Sequence, residues 1–186
     1  MTLKSTRLIV PAVLFAALAG SGCRPSGPTA GGATVTESKR TFKTYPYSEP
    51  DPVPMFARAG GEGQGSRLYP YFFFNKFSAA AVDKDWTVVR LENPQIQVSV
   101  LPEVGGKVWG ATDKASGRDF LYANHVMKFR EIALRGPWTS GGIEFNFGLV
   151  GHAPSTASPV DYIVRRNADG SASCVVGTMD LPSRTR

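Results

Sequence analysis

The side chains able to move protons or recognise hydroxyl groups are concentrated between positions 125 and 152. The chain has only two histidines, His125 and His152. Histidine is the residue whose ordinary pKa lets it give or take a proton near neutrality. His152 follows GGIEFNFGLVG at a glycine-flanked loop position, where an imidazole serves either as an acid–base group or as a partner for loop backbone. His125 follows Tyr122-Ala123-Asn124 and fits either the lining of a site or a turn. Glu144 lies between Ile143 and Phe145. If this run is extended, Glu144 and Asn146 share one face while Ile143, Phe145 and Phe147 share the other. A carboxylate accepts hydrogen bonds and an amide both donates and accepts, so the pair suits hydroxyl recognition. A solvated outer face is the alternative. Arg130 and Arg135 bracket a Glu-Ile-Ala-Leu run, and Gly136-Pro137-Trp138 follows. Guanidinium forks and an indole face are common in sugar pockets, although Trp138 also fits a core position.

Other chemistries find less support. His125, Glu144 and His152 contain the elements of a metal site but lack the short spacing of one, and no metal is expected. No G-x-S-x-G occurs, and Thr139-Ser140-Gly141-Gly142 reads as a turn. No phosphate-cradling glycine loop opens a helix, so no nucleotide and no other cofactor is implied. The net charge of +6 spreads thinly, since residues 67–186 hold 14 basic and 11 acidic side chains. Without a dense basic stripe, nucleic-acid binding is disfavoured.

The elements that must position these residues read as strands. Gly 20 and Pro 14 account for 34 of 186 residues, more punctuation than a helical bundle accommodates. WTVVRLE (86–92), the alternating IQVSVL (96–101), KVWGATD (107–113), RDFLYA (118–123), DYIVRR (161–166) and SASCVVGTMD (171–180) have strand character, separated by turn residues. Lys114-Ala115-Ser116-Gly117 and Asn167-Ala168-Asp169-Gly170 read as hairpin loops. Trp109 alternates with apolar neighbours as a core residue would, and YPYFFF (69–74) reads as core packing. The expected fold class is all-β, an antiparallel β-sandwich over residues 67–186. Those 120 residues fall short of the roughly 200–250 of a large sandwich, so an N-terminal portion of a larger domain is expected.

Residues 24–66 read as a flexible Gly/Pro-rich linker, from RPSGPTAGGAT through TYPYSEPDPVPMF to ARAGGEGQGS. Residues 1–23 read as a lipoprotein-type signal peptide. Lys4 and Arg7 precede an apolar run from Leu8 to Gly20, which is shorter than the roughly 20 residues of a spanning helix. It ends in LAGSGC, similar to a bacterial lipobox, with Cys23 as the lipidation site. Ordinary signal cleavage after Ala19 is the alternative, giving a secreted protein. The first reading makes the membrane a partner through an N-terminal lipid anchor at the cell envelope. Cys174, in SASCVVG, then has no disulfide partner and reads as a small buried residue.

Two segments carry a family resemblance: LENPQIQVSVLPEVGGKVWGATDKASGRDFLYANH (91–125) and FREIALRGPWTSGGIEFNFGLVGHAPSTASPVDY (129–162). They resemble a bacterial family of exported proteins with a galactose-mutarotase-like domain, often followed by tetratricopeptide repeats. The resemblance implies a supersandwich with a carbohydrate ligand. Related mutarotases use a histidine acid and a glutamate base, the latter supplied late in the chain. His152 resembles the place where such folds present a histidine, while no residue of this chain matches the late glutamate base; from their own chemistry, Glu144 is the catalytic candidate beside His152, and Arg130, Arg135, Trp138, Asn146 and His125 are the candidate sugar contacts. Two functions follow: a carbohydrate-directed envelope domain, acting at an anomeric centre when full length, or a non-catalytic scaffold at the envelope.

Overall fold

Alternation of β-branched or aromatic residues with polar ones builds the strands. The computed structural model describes residues 32–52, 72, 74, 76–131, 136–146, 154–181, 184 and 186. Strands β1 (Thr34–Tyr45), β2 (Val82–Glu92), β3 (Ile96–Leu101), β4 (Lys107–Asp113), β5 (Arg118–Asp119) and β6 (Val126–Lys128) form one sheet in the order β5-β4-β3-β2-β1-β6. Every pairing is antiparallel except β1 with β6, which is parallel, so the sheet is mixed rather than purely antiparallel. Short strands β7 (Arg130–Glu131) and β8 (Pro137–Trp138) pair with each other, as do β9 (Asp161–Arg166) and β10 (Ala172–Gly177). Among the described residues the only helical element is a 3-10 turn at Pro154–Ala157. The protein is all-β, its two-sided packing consistent with a β-sandwich.

The longest ladder, β1 on β2, runs from Thr34 opposite Glu92 to Thr44 opposite Val82. It corrects the reading of residues 24–66 as a linker, because 34–45 is a twelve-residue strand inside the sheet. Its sequence, TVTESKRTFKTY, is rich in threonine and aromatics that favour strands. Its four charges between 37 and 43 hid the pattern. Phe42 and Thr44 face the core, while Glu37, Lys39 and Arg40 are exposed. The core joins Phe42, Trp86, Val88, Leu101, Val104, Trp109, Met127, Phe129 and Ala157. Each large side chain buried there contributes roughly 1.5–3 kcal/mol relative to exposure. Phe42 meets Trp109 edge-on at 5.8 Å, and the Trp86 indole donates to Thr44 Oγ1 at 3.0 Å. Trp109 is therefore core, as its alternation indicates.

The opposite face of β1 and β2 carries the β9–β10 hairpin. Tyr162 donates its hydroxyl to Glu37 at 2.7 Å. Gly106, at φ +67°, leaves the space that Val176 fills, since a Cβ there would lie 2.8 Å from the valine side chain. The Asn167–Gly170 loop joins these strands as expected, with Gly170 N donating to Asn167 O at 3.1 Å. The strand expected over 118–123 stops at Asp119. Phe120 N still donates to Ala111 O at 3.0 Å, but the Phe120 and Tyr122 side chains turn outward.

Candidate functional site

The segment carrying the expected site is pinned to the sheet by two glycines. Gly141 and Gly142 have φ of +94° and +63°. A Cβ on Gly142 would lie 1.9 Å from Val108 O, so only glycine fits that approach. The turn delivers Ile143 to β4, where Ile143 N donates to Val108 O at 2.9 Å and Val108 N donates to Ile143 O at 3.1 Å. On its other side, Gly142 N donates to Tyr122 O at 2.7 Å. Asn124 Nδ2 reaches both Ser140 O (2.7 Å) and Ser140 Oγ (2.8 Å). Chain 138–144 is thus clamped between β4 and residues 122–124.

Inside that clamp, Trp138 Nε1 donates a hydrogen bond to Glu144 Oε2. Lys107, the first residue of β4, is only 2% exposed and donates through Nζ to Thr139 O. Its ammonium lies 5.6 Å from the Trp138 ring centroid. Burial pushes the Lys107 pKa below its ordinary value, and the Glu144 carboxylate partly opposes that shift by favouring the charged form. Among the described residues the Thr139 hydroxyl, which is buried, has no hydrogen-bond partner. A buried ammonium, an indole and a half-buried carboxylate therefore form one polar cluster under an open surface. Arg130 stands directly across from Trp138 in the β7–β8 pair, exposed, and donates through Nη1 to Phe129 O at 2.8 Å.

Residues 64–186, about two thirds of the chain, match the family described as "Domain of unknown function (DUF5107)". The chain belongs to the DUF5107 family. Its structure is similar to that of a TPR-domain containing protein from Parabacteroides distasonis ATCC 8503, with a TM-score of 0.62 and 28% identity. That likeness covers 74% of this chain and 23% of the other, so the DUF5107 chain spans less than a quarter of the matched protein's length.

The structure of this DUF5107 chain brings Trp138, Glu144 and Arg130 into one neighbourhood and separates others. Strand alternation gave Glu144 the wet face and Ile143 and Phe145 the dry one, and the structure reverses this. Ile143 is 44% and Phe145 47% exposed, while Glu144 is half-buried. Only the isolated Val108–Ile143 bridge is formed here, and 144–146 is not a strand, so the two-residue repeat does not govern the faces. Asn146 is exposed. His125 is exposed in the bend before β6. Arg135, His152 and Cys23 lie outside the described residues, as do the signal segment and Phe147. Among the described residues no cluster of three His, Cys, Asp or Glu side chains could hold a metal ion, and no helix is long and apolar enough to cross a membrane. Cys174 is half-buried, and burial followed by the Glu37 charge holds its thiol above its ordinary range. The residue that sequence reasoning missed is Lys107. Its signal was present, because strand parity places Lys107 on the same side as the core residue Trp109.

Proposed function

We propose that this chain is a carbohydrate-binding domain of the cell envelope, with galactose-mutarotase-like architecture and an anchor at Cys23. The single observation that supports the reading is the Trp138–Glu144 pair. The indole N–H is committed to the carboxylate, which fixes the ring, while Arg130 stands across from it. A flat apolar ring beside a carboxylate and a guanidinium offers stacking, acceptance and donation to a polyhydroxylated ligand. The buried Lys107 ammonium holds the neighbouring Thr139 carbonyl and balances Glu144, so the site is preorganised before any ligand arrives. Acid–base chemistry at an anomeric centre belongs to a longer chain in this proposal, with His152 as the acid.

A second reading, a protein-interaction scaffold, draws on the exposed apolar side chains Phe145, Val175, Met179 and Leu181, each about half exposed. Glycan-array binding separates the two. The carbohydrate reading expects discrete hits that Trp138→Ala and Glu144→Gln reduce at least about tenfold. A blank array for the wild-type chain, or hits unaffected by both substitutions, refutes it and leaves the scaffold. The anchor is tested by palmitate labelling, which Cys23→Ser must abolish.

A further inference from the structure

Strand β1 is paired on both edges for only part of its length. One edge meets β2 from Thr34 to Thr44. On the other, β6 takes Lys43, Thr44 and Tyr45. Among the described residues nothing pairs with that second edge between Thr34 and Phe42. The open window spans nine residues, the twelve of β1 less the three that β6 covers. Just before it, Ala33 donates its N–H to Gly170 O at 2.9 Å, and within it Thr36 to Thr41 are all exposed. An unpaired edge of this kind is a template for another strand.

The residues of the window select the strand. Charges normally protect a long edge, and β1 carries Glu37, Lys39 and Arg40 there. Their spacing does not repel an antiparallel copy of the same edge. With Ser38 on a two-fold axis, Thr34 opposes Phe42 and the window is filled from end to end. That register sets Glu37 opposite Lys39 of the second copy, and Lys39 opposite its Glu37. Thr36 then faces Arg40, and Val35 faces Thr41. A slide of two residues, the smallest that keeps the side-chain faces matched, sets Glu37 opposite Glu37 or Lys39 opposite Lys39. Like charges directly opposite are destabilising, so one register is favoured. Both side chains are already held in place. Tyr162 OH donates to Glu37 Oε2 at 2.7 Å, and Lys39 Nζ donates to Thr87 Oγ1 at 2.8 Å. Lys39 Nζ also lies 3.8 Å from Glu103 Oε1, yet its side chain remains 60% exposed. A ladder of this length supplies about nine backbone hydrogen bonds, near the roughly ten of a typical interface. We infer that the open edge of β1 is a homodimer interface, in which residues 34–42 of two copies pair antiparallel about Ser38 and join the two sheets into one. The dimer needs no ligand at Trp138.

The full chain carrying Cys23→Ser is sedimented in a nonionic detergent that covers the apolar run 8–20, and Glu37→Lys and Lys39→Glu are each added singly. The unaltered edge is expected to give a concentration-dependent rise from 20.0 kDa toward twice that mass. Each reversal alone places two like-charged pairs across the axis and weakens the dimer at least about tenfold. Mixed in equal amounts, the two variants restore it, because every lysine at these positions then opposes a glutamate. Restoration also shows that both variants fold. With Cys174→Ser added, Ser38→Cys carries the only thiol and forms a disulfide-linked dimer under mild oxidation, whereas Thr36→Cys does not. An unaltered edge that stays at 20.0 kDa at every concentration overturns the inference and leaves the edge to a strand of another protein. A dimer indifferent to both reversals, or reversals that mixing does not rescue, overturns it as well. So does a dimer that Thr36→Cys cross-links and Ser38→Cys does not, since the register is then different.

Discussion

Lys107→Met tests the polar cluster most directly, because methionine keeps the aliphatic stem and removes only the ammonium. Thr139 O would lose a charged donor in a buried setting, a loss of about 1.5–3 kcal/mol. Glu144 would lose a countercharge, yet it is half-buried and keeps the Trp138 N–H, so screening holds that part below about 1 kcal/mol. Relief of the ammonium's desolvation offsets some of both. The net expectation is a destabilisation of about 1–2 kcal/mol at pH 7. The pH dependence has a definite sign. The folded pKa of Lys107 is depressed below its ordinary 10.5, so between the folded and unfolded values the unfolded chain binds more protons. Stability contributed by this residue therefore rises with pH across that window, by at most about 1.4 kcal/mol per pH unit. Urea unfolding of the wild type and the variant at pH 7 and pH 10 should show a gap that widens at the higher pH. A variant as stable as the wild type at pH 7, or a gap that closes with rising pH, would refute the account of Lys107 as a buried anchor whose pKa is depressed by desolvation.

Three further outcomes are expected. Gly142→Ala puts a Cβ where Val108 O already lies and forces a strained φ, so it should cost at least about 2 kcal/mol in denaturant unfolding and uncouple the Val108–Ile143 bridge. A neutral result would mean that the turn readily re-forms. Asn124→Ala removes both hydrogen bonds to Ser140, for a loss of about 1–2 kcal/mol, and hydrogen exchange at Gly142 N should accelerate. Cys174, its thiol held above the ordinary range chiefly by burial and then by Glu37, should be alkylated at pH 8 several-fold more slowly than a free cysteine peptide in a Cys23→Ser background. Equal rates would contradict the burial.

Legibility divided according to whether the cause was local. The bounds of β3 and β9 were readable as 96–101 and 161–166, because each is a short run with its own pattern and turn residues beside it. The Asn167–Gly170 loop was readable for the same reason. Strand β1 was not, since even its closing ladder pair joins Thr44 to Val82, 38 positions further along the chain. Its side chains include only Val35, Phe42 and Tyr45 as apolar members. At the candidate site, the residue types suggested which side chains to consider, and two of them, Trp138 and Glu144, are joined in the structure by a hydrogen bond. Their hydrogen bond, and the inward turn of Glu144 past an exposed Ile143 and Phe145, depended on Gly141 and Gly142 at positive φ against β4.

The sequence by itself determined the all-β character and the identity of the hairpin turns, together with the supply of an indole, a carboxylate and arginines near one another. Those features follow from backbone preferences and side-chain chemistry acting over a few residues. Only the tertiary structure decided that Lys107 is buried beside Trp138 and that β1 completes the sheet. Burial and electrostatic pairing depend on which distant segments share space, and that information resides in the packing of the whole chain rather than in any window of it.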